Sequence, residues 1–259
     1  EAIARGILIS VFPLIIYRAL QDVGVVSKVY FFIGLSSLMI GLFVPYLIRY
    51  VPRRWVYAAG TIMFAIGALL ACFEAPTAVV VGLSFTTFAT VTTFVCFNAY
   101  VLDYVSKIEL GKLETSRLFY SALGWTVGPA LGVFLYSWWR PAPFLIAASA
   151  ALTMLLVFLV MRLGDGKLIT KSRAAPANPF AYFRRFAEQP RLITGWTFAV
   201  IRSCGWWVYV VYLPIYALEN GLGEQLGGIA LSISNGALFL TPLMFRFIQR
   251  RSVKKAVRV

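Results

Sequence analysis

The sequence predicts an all-α integral membrane protein, and three observations lead to that prediction. Hydrophobic residues make up 60% of the 259-residue chain and charged residues only 13%, which leaves too little polar surface for a soluble domain. Several apolar runs are long enough to cross a bilayer, which takes about 20 residues of helix. The segment VPYLIRYVPRRWV at 44–56 returns as TPLMFRFIQRRSV at 241–253.

The apolar runs are expected to be helices rather than strands. Backbone groups in lipid must be hydrogen-bonded within their own segment, and the runs lack the polar–apolar alternation of a membrane barrel. In chain order, the runs are Ala2–Leu20, Val29–Ile48, Trp55–Phe73, Ala78–Leu102, Leu118–Trp139, Pro143–Met161, Leu192–Leu218 and Leu226–Phe245.

The repeat determines the expected domain organisation. It closes the second and the eighth run, and a repeat that returns after six runs indicates two halves of six helices. We therefore expect a six-helix bundle at 1–162, a cytoplasmic linker at 163–190 and the first two helices of a second bundle at 191–259. In the linker, three phenylalanines that recur every third residue from Phe180 predict an amphipathic helix on the membrane surface.

The net charge of +14 is distributed unevenly over the two sides of the membrane. When the connections are assigned alternately to the two sides, all but four of the 24 Lys and Arg residues lie on one side. The exceptions are Arg18, Lys28, Arg140 and Arg202, which lies inside the seventh run. This positive-inside pattern predicts a multi-pass protein of the cell membrane, most simply a bacterial inner membrane, with a cytoplasmic N-terminus. The charge orients the protein and predicts no nucleic-acid partner.

The composition argues against most enzyme chemistry. The chain has no histidine, so it has neither an imidazole base nor a histidine metal ligand. Its three cysteines are single and scattered, and no glycine-rich nucleotide loop is present. We therefore predict that the protein is not an enzyme and has no catalytic residues, no metal site and no cofactor.

The first copy of the repeat resembles G-x-x-x-D-R-x-G-R-R, the signature that follows helix two in the major facilitator superfamily. The spacing and the closing Arg53 and Arg54 are kept, Arg250 and Arg251 close the second copy, and Arg49 stands where the family has its aspartate. The resemblance covers essentially the whole chain. It implies a major facilitator-type helical bundle, truncated here to about eight transmembrane helices, with gating roles for these five arginines. A plain positively charged flank of the membrane helices is the alternative.

The junction of the fourth and fifth runs is similar to the family's pattern of an aspartate, a charged turn and a glycine-rich helix. Asp103 ends the fourth run, where a gate would pair it with Arg or Lys. Gly124, Gly128 and Gly132 share one helix face, which allows another backbone to approach closely, and Pro129 bends the helix. The stretch also partly resembles the helix-five motif of drug–proton antiporters, although helix packing is the interpretation that we favour.

Polar groups at membrane depth are the candidate substrate contacts. Arg202 lies inside the seventh run, and the repeat maps it onto Arg5 in the first. A buried arginine costs about 2.5 to 3.5 kcal/mol to insert, so it is usually functional, and two facing guanidiniums would suit a carboxylate or phosphate. Helices one, four and seven line the family's cavity, which adds Asn98, Trp206 and Tyr209 as candidates. Helix packing is the alternative for these three.

The ten acids provide little for ion coupling. None lies in the middle of a run, and only Asp22 and Asp103 are near enough to an end to serve a proton relay. Proton coupling, substrate exchange and facilitated transport therefore stay open. The predicted function is a secondary transporter that moves a small solute, an organic anion or a drug-like compound, through the lipid bilayer. The rival is a non-transporting membrane receptor or scaffold on the same fold.

Overall fold

Helices form all the regular structure in the part of the chain that the computed structural model describes, residues 1–104, 107–163 and 183–249. In chain order, they are α1 (Ala2–Leu20), α2 (Val23–Tyr50), α3 (Arg53–Ala71), α4 (Pro76–Tyr104), α5 (Lys107–Trp138), α6 (Ala142–Leu163), α7 (Phe183–Ala187), α8 (Pro190–Glu219), α9 (Gln225–Gly236) and α10 (Thr241–Gln249). A 3₁₀ turn at Ala237–Leu240 joins α9 and α10 into one span. With that span, eight segments of the described chain are long and apolar enough to cross a membrane, which confirms the predicted all-α membrane fold.

The prediction of a charged turn before the fifth span is wrong. Helix α5 begins at Lys107 rather than at Leu118, so the charged segment forms its first turns. Glu, Lys, Leu and Arg are strong helix formers, and Glu114 pairs with Arg117 at 3.2 Å, three residues further along the same helix. The predicted linker helix is described only as the five residues of α7, and residues 164–182 lie outside the described part of the chain.

The junction between α1 and α2 is built by local capping. Gln21 adopts a left-handed conformation after α1, with φ 52°, and its N–H donates to the Tyr17 carbonyl. The Asp22 carboxylate then accepts the backbone N–H groups of Gly24 at 2.6 Å and Val25 at 3.1 Å. This cap starts α2 well before the apolar run that predicted it.

The spans alternate in direction, so their connections gather at two ends of the molecule. We call the end that holds the start of α1 and the α2–α3 turn, with Arg49 and Arg54, the basic end. We call the opposite end, with Arg18, Glu74 and Glu219, the acidic end. The most buried span is α1, which packs against α2, α4, α5, α6, α8 and α9.

Three glycines on one face of α5 allow its backbone to touch that of α1. A Cβ at Gly128 would lie 2.6 Å from the carbonyl carbon of Gly6, and one at Gly124 would lie 2.9 Å from that of Ala2. Gly132 continues the contact against Ile7. No residue with a side chain fits at Gly128 without moving one helix, because the obstacle is backbone rather than a flexible side chain.

A second side of α5 packs against α9. A Cβ at Gly228 of α9 would lie 2.8 Å from the Pro129 carbonyl oxygen, so these two backbones also approach closely. Proline disrupts the hydrogen-bond ladder of its helix, and here the neighbouring Ala130 N–H donates to the Ser232 hydroxyl of α9 at 3.0 Å. Helix α5 therefore contacts α1 through its glycines and α9 at Pro129.

We expect Gly128→Ala to destabilise the protein and Gly34→Ala to leave it unchanged or slightly more stable. Alanine is the better helix former by about 1 kcal/mol, but at Gly128 its methyl group would meet the Gly6 backbone. At Gly34, on α2, there is open space within 4 Å. Thermal unfolding in detergent measures the difference, and overpacking of this kind typically costs about 1 to 3 kcal/mol. Equal melting temperatures for the two variants would contradict the close contact.

Candidate substrate cavity

A cavity of about 440 Å³ lies between α1, α2, α3, α4, α5 and α8. This volume is in the range of small-molecule sites, roughly 300 to 1,000 Å³. Its walls are largely apolar, and hydroxyl groups come from Ser37, Tyr30 and a row of threonines on α4. Trp125 of α5 and Trp207 of α8 also line it, so the wall includes residues from both predicted bundles.

Arg5 is the charged group of this cavity. Of the described residues that line the cavity, it alone is ionised at neutral pH. Its guanidinium lies over the Trp125 ring, 5.2 Å from the centroid, and its Nη1 donates to the Glu1 carboxylate at 3.0 Å. A cation over a tryptophan face is stabilised by about 0.5 to 2 kcal/mol, more when it is desolvated. Both contacts offset the cost of a guanidinium among apolar residues.

A second cavity of about 830 Å³ continues from the first toward the basic end. Arg5, Phe94 and Trp125 line both cavities and therefore form their junction. On the side of the basic end, the second cavity is lined by Glu1 and by Arg117, whose guanidinium lies 5.4 Å from the centroid of the Phe97 ring. A path to the central cavity therefore leads from the basic end past two arginines.

At the acidic end, polar contacts join α1 and α2 to α8 and to the residue before α9. Arg18 of α1 forms an ion pair with Glu224, the residue before α9. The hydroxyl of Tyr17 donates to the Glu219 carboxylate at 2.9 Å. Tyr30 of α2 lies in the cavity wall. About one helical turn before it, the hydroxyl of Ser27 is 2.6 Å from that of Tyr212 on α8. These contacts hold α1 and α2 against α8 and the start of α9 at this end.

Glu74 extends this polar network within the first bundle. Its carboxylate accepts hydrogen bonds from the Tyr136 hydroxyl at 3.0 Å and from Arg140 Nη1 at 2.8 Å. The Arg18 guanidinium lies over the Tyr136 ring, 5.5 Å from the centroid. Glu74 therefore helps to position the same arginine that pairs with Glu224, and the acidic end is held by a connected set of charges.

The other predicted substrate residues lie outside the lining of these two cavities. Arg202 is exposed near the middle of α8, and Asn98 is half-buried on α4. The Trp206 and Tyr209 rings lie 5.9 Å apart, and the Tyr209 hydroxyl is 2.9 Å from that of Ser234, so they connect α8 to α9. Substrate contact by these four residues stays a prediction, and Arg5 is the predicted residue that lines the cavity.

Several residues that line the cavity were not predicted from the sequence. On α4, Leu83, Thr86, Thr87, Thr90 and Phe94 recur at helical spacing and face the cavity. That stripe could have been identified from the sequence, because hydroxyl groups on one face of a predicted cavity helix are a periodic signal. Trp125 and Trp207 carry no such signal, since each lies among other aromatic and apolar residues.

The predicted gating residues gather at the basic end. Arg53 donates to the Ala99 carbonyl at 3.4 Å and lies over the Tyr100 ring, which fixes the start of α3 to α4. Arg49 lies over the Tyr50 ring and Arg54 over the Trp55 ring. The backbone of Asp103 belongs to the last turn of α4. Its side chain, Arg250 and Arg251 lie outside the described part of the structure.

Eight apolar spans, six of which line one cavity, define a multi-pass membrane protein with the architecture of a solute carrier. The family model of the Major Facilitator Superfamily matches residues 1–258, so the chain belongs to that superfamily and is a membrane transporter. Members of the family are transporters rather than enzymes, which implies a lipid bilayer and a small-molecule substrate as partners. A search of curated proteins and a search of solved structures returned no match.

We expect a cysteine at Thr90 to react with a polar thiol reagent and one at Thr61 to stay unreactive. Both threonines lie on membrane helices, but Thr90 lines the cavity whereas Thr61 is fully buried between helices. The background would carry Cys72→Ser and Cys204→Ser and keep Cys96, which is buried. Mass spectrometry of the labelled protein measures the reaction. Equal labelling at the two positions would contradict an accessible cavity at α4.

Proposed function

We propose that the protein is a secondary transporter that moves a small organic anion by alternating access. The observation that supports this most directly is the Arg5 guanidinium, which lies over Trp125 in the wall of an otherwise uncharged cavity. The substrate would carry one carboxylate or phosphate group on an apolar or aromatic body. A drug-like cation is disfavoured, because the charged group in this lining is itself positive.

The chemistry of the wall suits such a molecule. An arginine presents a planar fork of donors that matches a carboxylate or phosphate in a bidentate arrangement. In an apolar surrounding this attraction is much stronger than in water. The anion would replace Glu1 as the partner of Arg5, while Trp125, Trp207 and Phe94 would pack against its apolar part. The threonines of α4 would then accept or donate hydrogen bonds at its edges.

The proposed orientation places the basic end in the cytoplasm and the acidic end outside. The excess of Lys and Arg on that side supports it, and a bacterial inner membrane is the simplest setting. In this orientation, the contacts between Arg18 and Glu224 and between Tyr17 and Glu219 close the outer side. The described arrangement would then be the inward-facing state, and release of these contacts would accompany rocking of the second bundle against the first.

The same scheme assigns a role in transport to each segment of the chain. Residues 1–162 would form one rocking bundle, 163–190 the cytoplasmic linker and 191–259 the beginning of the other bundle. The arginines at the basic end and Asp103 would take part in closing the inner side when the outer side opens. A coupling proton is not required by this scheme, and Asp22, one of two candidates for it, already accepts two backbone N–H groups as a helix cap.

We expect Arg5→Lys to weaken binding of a transported anion by at least about tenfold, which corresponds to the loss of one charge-assisted hydrogen bond. Arg5→Ala should abolish transport. Both effects are measured with purified protein in proteoliposomes, with a panel of aryl and alkyl carboxylates and phosphate monoesters as substrates. The amount of inserted, monodisperse protein should not change.

Arg202→Lys and Arg202→Ala are the matched controls, because Arg202 is also an arginine within a membrane span but lies outside the cavity lining. If Arg5 alone holds the anion, they retain transport, whereas the prediction that Arg202 contacts the substrate requires a loss. If the Arg202 variants lose transport and the Arg5 variants keep it, the anion site lies on α8 instead. If neither pair of variants affects uptake of any anion, the proposed substrate class is wrong.

We expect Arg18→Glu and Glu224→Arg, each alone, to open the acidic end, because each replaces the ion pair by two like charges. The double variant should restore closure. The readout is labelling of Thr90→Cys by a membrane-impermeant thiol reagent that is added at the acidic side of oriented vesicles. Arg184→Glu serves as the control, since it disrupts a pair with Glu188 elsewhere. Equal labelling in the single and double variants would refute this closing contact.

A further inference from the structure

The turn between α2 and α3 concentrates positive charge at the basic end. Arg49, Arg53 and Arg54 lie within six consecutive positions there, and we call these three residues the basic turn. Arg53 is already held by α4 through the Ala99 carbonyl and the Tyr100 ring. Within the described residues, Arg49 and Arg54 make no such polar contact, and their charge is therefore available to a ligand.

Five other arginines of the described chain have carboxylate partners. These pairs are Arg5–Glu1, Arg18–Glu224, Arg117–Glu114, Arg140–Glu74 and Arg184–Glu188. Within the described residues, no carboxylate lies within ion-pair distance of Arg49 or Arg54. The Nε of Arg54 is fully buried and has no hydrogen-bond partner there.

Exposed aromatic rings surround these two arginines. Tyr46, Tyr50 and Trp55 are each about half exposed, and the hydroxyls of Tyr46 and Tyr50 are 2.9 Å apart. The Arg49 guanidinium lies 6.0 Å from the Tyr50 ring centroid and that of Arg54 5.3 Å from the Trp55 ring centroid. Tyrosine and tryptophan at the exposed ends of membrane helices lie at the level of the lipid headgroups. The rings therefore hold both guanidiniums at that depth.

The same surface continues into the apolar part of the membrane. Below the tyrosines, Phe43 and Leu47 of α2 are exposed, and they would lie against acyl chains. At the turn itself, the start of α3 has no side-chain cap, so its free N–H groups add to the positive potential at this end. From the turn toward the middle of the membrane, the surface is thus first charged, then aromatic and then apolar. A phospholipid has its phosphate, glycerol and acyl chains in the same order.

We propose that the basic turn binds the phosphate of an anionic phospholipid in the leaflet that borders the basic end. Arg49 and Arg54 donate to the phosphate oxygens, Tyr50 and Trp55 pack beside the glycerol region, and Phe43 contacts an acyl chain. The site is distinct from the cavity, and it stands whether or not the transported solute is an anion.

The test compares two double variants that remove the same charge. Arg49→Gln/Arg54→Gln removes the two unpaired arginines, whereas Arg140→Gln/Arg184→Gln removes two that have carboxylate partners. The apparent affinity for phosphatidylglycerol is read from the rise in melting temperature as this lipid is added to purified protein in detergent. Each arginine at a membrane surface is worth about fivefold in affinity, so the first variant should bind roughly 25-fold more weakly. The second should bind like the unsubstituted protein.

Two further measurements distinguish a lipid phosphate from free phosphate and control for misfolding. Phosphatidylcholine and inorganic phosphate should give no saturable shift, and a saturable shift with inorganic phosphate alone would replace the lipid site by a soluble-anion site. Arg49→Lys/Arg54→Lys keeps the charge but loses the planar fork, so it should fold normally and bind phosphatidylglycerol detectably more weakly. Equal affinity in this variant, or an equal loss in both glutamine variants, would overturn the proposal and leave only general attraction to anionic membranes.

Discussion

The backbone contact between α1 and α5 is the constraint on which the cavity depends. Gly128 faces Gly6 at a distance that leaves no room for a Cβ, so the two helix axes are drawn together. Arg5 precedes Gly6, and Trp125 follows Gly124 in the same seam. The contact that requires glycine therefore also places the guanidinium over the indole ring. Packing and binding chemistry are coupled, because a wider seam would separate the charged group from the ring that stabilises it.

The two ends of the molecule use their charges in different ways. At the acidic end, the carboxylates of Glu74, Glu219 and Glu224 accept hydrogen bonds from α1 or α5 or from the connection that follows α5. Two of them, Glu219 and Glu224, tie α1 to α8 and to the start of α9. At the basic end, Arg49 and Arg54 stay without carboxylates in the described structure and are backed by aromatic rings instead. The carboxylate contacts at the acidic end hold helices to each other, whereas the aromatic rings at the basic end hold cations at the membrane surface.

The structure confirms the predictions that depend only on the order and spacing of residues along the chain. Hydropathy predicts the eight spans, and the four-residue spacing places Gly124, Gly128 and Gly132 on one face. Which residue faces the cavity depends on helix rotation, and one position along a helix turns a side chain by about 100°. Trp207 rather than Trp206 therefore lines the cavity, and Arg5 lines it while Arg202 does not. No hydropathy or repeat argument supplies that rotation, because it is determined by contacts with neighbouring helices such as the bond between Tyr209 and Ser234.

The proline in α5 lies where α5 meets α9. Pro129 has no N–H, so the Trp125 carbonyl, one turn earlier in α5, lacks the donor that the helix would otherwise supply. On the same turn, a Cβ at Gly228 of α9 would lie 2.8 Å from the Pro129 carbonyl oxygen, and the Ala130 N–H donates to the Ser232 hydroxyl at 3.0 Å. Withdrawal of α9 from α5 would break both contacts. Because Trp125, whose ring lies under Arg5, belongs to this turn, movement of α9 against α5 acts on the part of α5 that forms the cavity wall.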